Sequence, residues 1–103
     1  MKECRSSRAV AEIAQAATWY GARQSGLDTE FLNEVERDLP LLAEQPESFP
    51  LLLNTPEDLS IRRTLLPRFP SALVFVDLPA HVRVLAVAHR RRRPGYWLTR
   101  IRP

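Results

Sequence analysis

The sequence predicts an α+β fold in which an N-terminal two-helix hairpin packs on a small, mainly antiparallel sheet of three to four strands. Apolar residues recur at three- and four-residue spacing in the first half of the chain, which is the period of an amphipathic helix. Short alternating or fully apolar runs follow in the second half, and these are typical of strands. With 103 residues, 45% of them hydrophobic, the chain suits one core, so we expect a single domain over residues 1–103.

The first helix is predicted to begin near residue 6, because Ser6 or Ser7 can cap its N-terminus. We expect it to end near Gly26, where the helical pattern stops. Its apolar positions are Val10, Ile13, Ala14, Ala17 and Tyr20.

The second helix is predicted to begin at Leu27 or Asp28, where acidic residues in the first turn suit the helix dipole. It should stop before Pro46. Pro40 lies inside this pattern, and an interior proline removes a backbone hydrogen bond at a cost of about 3 kcal/mol. We therefore expect a kink or break near Asp38.

The segment 47–59 is predicted to be a loop, because it contains prolines and other turn residues. Its apolar residues suggest that the loop packs against the domain; they are Phe49, Leu51, Leu52 and Leu53.

Three strands are predicted next, over residues 61–66, 72–78 and 81–89, with a tight turn at Pro79 and Ala80 joining the last two. Residues 72–76 are apolar on both faces, so this strand should be central, with helices covering one side. Alternation in the last strand predicts two rows of side chains. One row is Val82, Val84, Ala86 and Ala88; the other is Arg83, Leu85, Val87 and His89.

Charge is strongly polarised along the chain. Residues 61–103 hold ten arginines and one acid, Asp77, whereas residues 1–60 hold five basic and eleven acidic residues. The last predicted strand leads directly into the basic segment 89–93, which Tyr96 and Trp97 soon follow. This polarity predicts a polyanionic partner, either a nucleic acid or an acidic protein segment.

Composition also excludes several classes of protein. Cys4 is the single cysteine, so an internal disulfide is excluded, and the cysteine and histidine spacing suggests neither a metal site nor a cofactor. No apolar run approaches the roughly 20 residues of a membrane span, and no apolar leader follows the N-terminus. We therefore expect a cytoplasmic protein without a membrane partner.

Several short segments carry a resemblance to a known family, and their order and spacing together are more specific than any one of them. They are residues 16–20, 26–27, 31–36, 46–50, 61–63, 68–70, 82–89 and 93–97. In these segments the chain resembles the RelE/ParE superfamily of bacterial toxin-antitoxin and plasmid-stabilisation toxins.

The resemblance implies a helical hairpin on a mainly antiparallel sheet. It also implies the toxin of a type II toxin-antitoxin module, a growth inhibitor that a cognate antitoxin neutralises in a hetero-oligomer. One branch of the superfamily cleaves messenger RNA in the ribosome, and another poisons DNA gyrase on the same scaffold. The target is therefore read from the site and not from the fold.

For the RNA-cleaving branch, the resemblance implies catalytic roles for Arg90 and Tyr96. His89 would be a general acid or base beside them. Arginines would stabilise the charge that develops on the phosphate during attack by the ribose 2′-hydroxyl. The candidate target-binding residues are Arg63, Arg83, Arg90, Arg91 and Arg93.

Three positions depart from the RNA-cleaving pattern. Leu65 and Ala72 stand where further basic residues are expected, and Ser71 replaces an aromatic residue. These departures favour the gyrase-directed branch over the ribonuclease. A non-toxic, basic nucleic-acid-binding module and an inactive remnant that binds only an antitoxin remain alternatives.

The N-terminus departs from the family as well. Residues 1–7 have no alternating apolar pattern, so the strand that usually precedes the first helix is expected to be absent or ragged. An exposed sheet edge would then invite an antitoxin strand, or the chain would be a truncated, unstable remnant.

Overall fold

The chain folds as an α+β domain with two helices and a four-stranded sheet, as predicted. The computed structural model describes residues 2–53, 55–56, 58–89, 91–93 and 95–100. The elements are β1 (Lys2–Arg5), α1 (Ser7–Arg23), α2 (Leu27–Glu44), a short 3₁₀ turn (Pro46–Ser48), β2 (Ser60–Leu65), β3 (Ser71–Asp77), β4 (His81–His89) and a C-terminal 3₁₀ turn (Tyr96–Arg100). The strand order is β1-β4-β3-β2, with β1 parallel to β4 and the other neighbours antiparallel.

Both helices begin where the sequence predicts, but the buried face of α1 differs in part from the prediction, since Val10 is 49% exposed and Ala14 is exposed, whereas Ala9 is buried. Ser6 caps α1, since its side-chain oxygen accepts a hydrogen bond from the Ala9 N–H at 3.1 Å. Gly26 precedes α2 in the left-handed conformation, with φ of 93°. In both helices the apolar stripe is buried, which positions the hairpin on one face of the sheet.

Of the kink or break predicted near Asp38, the break does not occur. α2 continues through Pro40 to Glu44. Pro40 lies on the exposed side of the helix, whereas Leu39 and Leu42 on the opposite side are buried in the core. Packing of these two leucines, which come before and after Pro40 in the sequence, therefore keeps the backbone helical despite the lost hydrogen bond.

Two clusters of buried side chains cover the two faces of the sheet. The helices, Leu73, Phe75 and Phe69 form the cluster on one face. Val74 and Val76 pack on the other face, with Trp97 of the C-terminal turn. Every residue from Ser71 to Val76 is buried, so β3 is a central strand as predicted.

The predicted rows of β4 are wrong beyond Leu85. The pairing of β3 with β4 shifts between Val74 and Phe75, which face Ala86 and Val84 respectively. Leu85 is therefore the extra residue of a β-bulge, and a bulge moves every following side chain to the opposite face. Val87 consequently packs with the helices, whereas Leu85 and Ala86 pack on the other face.

The expectation of an absent N-terminal strand is also wrong. β1 pairs with His81–Val84 of β4, and the Ser6 N–H donates to the Val84 carbonyl at 3.0 Å. This edge strand needs no alternating apolar pattern, because backbone pairing with β4 positions it and Cys4 remains exposed. The proposed open edge for an antitoxin strand is therefore occupied by the chain itself.

The loop before β2 packs on the domain only in part. Phe49 contacts Phe75 at 5.7 Å between ring centroids, and Leu52 is half-buried against the other sheet face. Leu51 and Leu53, however, are 56% and 87% exposed, contrary to the prediction. The loop backbone also extends the sheet, since the Leu52 N–H donates to the Ile61 carbonyl at 2.8 Å.

Within the described parts of the chain, neither helix has the length and apolar character of a membrane span.

Candidate functional site: a basic groove beside the C-terminal turn

A groove of about 720 Å³ lies on the sheet face opposite the helices, and we call it the main groove. Its floor comes from paired strand residues: Leu65 pairs with Ala72, and Ala72 pairs with Ala88. The loop before β2 and the C-terminal turn form its walls. The charged and polar lining residues are Thr55, Arg63, Ser71, His89, Arg92, Arg93 and Tyr96.

The main groove has an exposed apolar strip. Leu53 is 87% exposed and Leu65 is 64% exposed, and Leu98 of the C-terminal turn is also exposed. Contiguous exposed leucines rimmed by polar residues are typical of a protein-binding surface. Leu65 and Ala72 form part of this apolar surface.

Arginines form the rim of the main groove. Arg63, Arg92 and Arg93 line it, and none of these three forms an ion pair with an acid in the described ranges. Arg62, the neighbour of Arg63, instead donates to the Phe49 carbonyl at 2.6 Å and has a structural role. Among the described residues, the rim is therefore a cationic border without an ion-paired acid.

The other predicted binding residues lie elsewhere. Arg83 pairs with Val76, farther along the sheet than Val74, which is the partner of Arg63. Arg91 lines a second groove, described below. Arg90 lies outside the described residues. The structure thus brings together Arg63 and Arg93 with His89 and Tyr96, and separates Arg83 from them.

Tyr96 begins the C-terminal turn, and its hydroxyl is held in place. It donates to Glu12 Oε2 at 2.7 Å and lies 3.2 Å from the Val87 carbonyl oxygen. The Arg92 guanidinium lies over the ring, 4.0 Å from its centroid. Burial, together with the hydrogen bond to Glu12, raises the pKa of the Tyr96 hydroxyl far above its ordinary value. This hydroxyl therefore keeps its proton and binds a carboxylate.

Glu12 is the centre of this network, and sequence analysis did not identify it. One carboxylate oxygen accepts from the Val87 N–H at 3.1 Å and from Arg100 Nη1 at 2.7 Å. The two ion-paired side chains are only 13% and 12% exposed. The local sequence carries little signal for this pair, because Glu12 and Arg100 lie 88 residues apart.

The network completes one edge of the sheet. β1 pairs with β4 as far as Val84, and beyond that point side chains bind the backbone of β4. The Leu85 carbonyl accepts from the Ser6 hydroxyl at 3.3 Å and from Arg100 at 3.2 Å, and Glu12 binds the Val87 N–H. Exposed backbone groups at a sheet edge attract other strands, so these side chains fix the C-terminal turn and protect the edge.

His89 ends β4 at the boundary between two grooves. Its Nδ1 accepts a hydrogen bond from the Arg91 N–H at 3.1 Å, which orients the ring toward the basic turn. The side groove, of about 530 Å³, lies on the other side of this boundary. Its lining residues are Glu12, Gln15, Ala16, Trp19, Tyr20, Arg23, Pro70, Ser71, Val87, His89, Arg91 and Arg92.

Across the ranges that the structure describes, no group of three or more histidine, cysteine, aspartate or glutamate side chains is arranged to hold a metal ion.

Fold and site together define a class: a small α+β domain with an apolar groove that a fixed C-terminal turn closes, bordered by arginines that form no ion pair within the described ranges. In comparisons with known proteins, no family model, curated protein or solved structure matches the chain.

Proposed function

We propose that this protein is the toxin of a type II toxin-antitoxin module of the RelE/ParE superfamily, a growth inhibitor that a cognate antitoxin neutralises. The observation that carries the proposal is the main groove, in which exposed leucines are bordered by Arg63, Arg92 and Arg93. The order of elements supports it as well. A helical hairpin on a mainly antiparallel sheet is the architecture that the resemblance implies, and β1 supplies the strand that the N-terminal sequence concealed.

The main groove suits an amphipathic, acidic segment of an antitoxin. An apolar face of such a segment would cover Leu53, Leu65 and Leu98, and its acids would meet the arginine rim. Burial of the leucines would supply affinity, and the charges would supply specificity and fast association. The antitoxin and toxin would then form a hetero-oligomer in the cytoplasm.

We favour DNA gyrase as the target because the candidate catalytic hydroxyl of Tyr96 is poorly placed for proton transfer. The Tyr96 hydroxyl is bound to Glu12, and its pKa is raised. A general acid or base needs a pKa near the working pH and a proton within reach of the substrate. On this proposal the arginines bind the target and the protein is not an enzyme.

Ribosome-dependent cleavage of messenger RNA is the second candidate. It is favoured by one observation, that His89 lies at the groove beside Arg92 and on the same lining as Arg63. An imidazole between guanidinium groups is a chemically reasonable acid or base for phosphodiester cleavage.

Three variants separate these proposals when each is induced in a bacterial host and growth is followed. Arg63→Gln should abolish inhibition, because it removes a rim cation that forms no ion pair with any acid among the described residues. His89→Gln should remain inhibitory on the gyrase proposal and become harmless on the ribonuclease proposal, because that candidate rests on the His89 imidazole. Arg8→Gln is the matched control, since Arg8 is an exposed arginine on the first turn of α1.

Folding of each variant must be checked by circular dichroism, because a variant that does not fold would also fail to inhibit growth. If the folded wild-type chain does not inhibit growth, the toxin proposal is wrong. A nucleic-acid-binding module or an inactive antitoxin-binding remnant would then be the better description.

A further inference from the structure

The side groove carries three cations, and the proposed function uses only one of them, Arg92. Arg23 comes from the end of α1, and Arg91 and Arg92 come from the turn after β4. None of the three forms an ion pair with an acid in the parts of the chain that the structure describes. Glu12 is the one acid among the lining residues, and Arg100 already neutralises it at 2.7 Å. The groove is therefore a concentrated positive site.

Aromatic rings lie beside these cations. The Arg23 guanidinium is 4.1 Å from the ring centroid of Trp19, and Arg92 is placed in the same way over Tyr96. Trp19 is 48% exposed, although it is a large aromatic residue on a helix. A guanidinium over a ring keeps its N–H donors in its own plane, where they can still bind a phosphate.

We propose that the side groove binds one nucleotide of a single-stranded nucleic acid, with the phosphate on Arg91 and Arg92 and the base against Trp19 and Arg23. Stacking on an aromatic ring or a guanidinium, beside cations that follow the backbone, is how proteins hold single strands. The volume of about 530 Å³ lies within the range of small-ligand sites, roughly 300–1,000 Å³.

The site also has a path for a longer strand. His89 and Arg92 line both grooves, so cationic surface continues from the side groove over the end of β4 to the main groove. A strand of several nucleotides can follow this surface, whereas a free nucleotide can occupy only one position. We therefore assign the site to a strand. The inference goes beyond the proposed function, because it requires neither gyrase nor an antitoxin.

The test uses the purified full chain and a fluorescein-labelled oligothymidylate of about ten nucleotides, with anisotropy measured over a series of salt concentrations. The two phosphate-binding arginines, Arg91 and Arg92, predict a slope of log affinity against log salt of about −1.4, from about −0.7 for each contact on a single strand, and contacts of the strand with the main groove would make it steeper. Tryptophan fluorescence should be quenched on binding, because a base would stack on Trp19, which is 48% exposed. The change reports on Trp19, since the buried Trp97 is shielded from a base.

Two variants and two matched controls locate the site. Arg91→Gln should reduce the slope by about 0.7, and Trp19→Leu should weaken binding at least about fivefold. Arg8→Gln changes the same charge, but on α1 about 16 Å from Trp19, and should leave the affinity close to that of the wild type. Arg63→Gln reports on the main groove alone and should have a smaller effect than Arg91→Gln.

Adenosine monophosphate serves as the competitor that distinguishes a free nucleotide from a nucleotide within a strand as the ligand of the side groove. Weak competition, at far higher concentration than an unlabelled strand requires, is the expected result. Equal competition by the mononucleotide would overturn the assignment to a strand. Unchanged binding in both Arg91→Gln and Trp19→Leu, or an equal loss in Arg8→Gln, would overturn the site itself. All of these results come from the chain alone, so they are independent of whether it inhibits growth.

Discussion

Glu12→Ala tests the network that fixes the C-terminal turn. The substitution leaves the Arg100 guanidinium, 12% exposed, without its carboxylate, and breaking such a buried pair costs about 3–5 kcal/mol. The Val87 N–H loses its acceptor and the Tyr96 hydroxyl keeps only the Val87 carbonyl, but these losses fall within the same cluster and do not simply add. We therefore expect a loss of about 3–5 kcal/mol in the free energy of unfolding, with a fall in Tm of about 12 °C or more.

Urea denaturation followed by circular dichroism measures this loss. Glu36→Ala is the matched control, because Glu36 pairs with Arg5 at 3.5 Å but is 62% exposed, and an exposed pair is worth about 0–1 kcal/mol. In the double variant with Arg100→Ala, the loss should be smaller than the sum of the single losses, because no unpaired guanidinium remains. A Glu12→Ala protein within about 1 kcal/mol of the wild type would refute the reasoning.

Three further predictions concern stability and are measured by the same unfolding experiments. Gly95 and Gly26 have φ of 79° and 93°, so alanine at either position should lower the free energy of unfolding by about 1–2 kcal/mol. The two losses should be similar, because the Leu98 side chain near Gly95 can move aside. A Gly26→Ala protein as stable as the wild type would contradict this. Ser6→Ala removes the cap of α1 and should cost about 1 kcal/mol; a cost below about 0.3 kcal/mol would show that the cap hydrogen bond contributes little. Burial raises the pKa of the Asp38 carboxyl, so the folded state binds a proton more tightly than the unfolded state, and stability falls as pH rises through the ordinary Asp range. Asp38→Asn should therefore be more stable than the wild type at neutral pH and lose that advantage in acid. A stability difference that does not change with pH would contradict the assignment.

The helices and the three C-terminal strands were predictable because their signals are local. The Ser6 cap, the left-handed Gly26 and the apolar stripes each depend on residues a few positions apart. The fully apolar run of β3 also has one simple interpretation, a strand buried on both faces.

The features that sequence analysis missed depend on distant contacts. β1 is defined by pairing with residues 81–84, and its own side chains show no strand pattern. The bulge at Leu85 lies in a continuous apolar run. In such a run, a shift of one residue does not change the pattern of apolar and polar residues, so the sequence does not reveal it. Pro40 suggested a break that burial of Leu39 and Leu42 overcame.

The candidate site was predictable only in composition. The arginine-rich second half pointed to a polyanionic partner, but the fold decides which arginines meet. Arg63 and Arg93 share the main groove, and Arg91 and Arg23 share the side groove, with Arg83 elsewhere on the sheet. The role of Tyr96 in holding the C-terminal turn required Glu12, a partner 84 residues away.

The central claim is that this chain inhibits growth through gyrase and not by cutting messenger RNA. Incorporation of labelled precursors into protein and into DNA, followed in the first minutes after induction in a host without antitoxin, tests it most directly. The proposal predicts that DNA synthesis stops first. If protein synthesis stops first, the gyrase assignment is contradicted and His89 becomes the leading catalytic candidate. If neither stops although folded protein accumulates, the toxin proposal itself is contradicted.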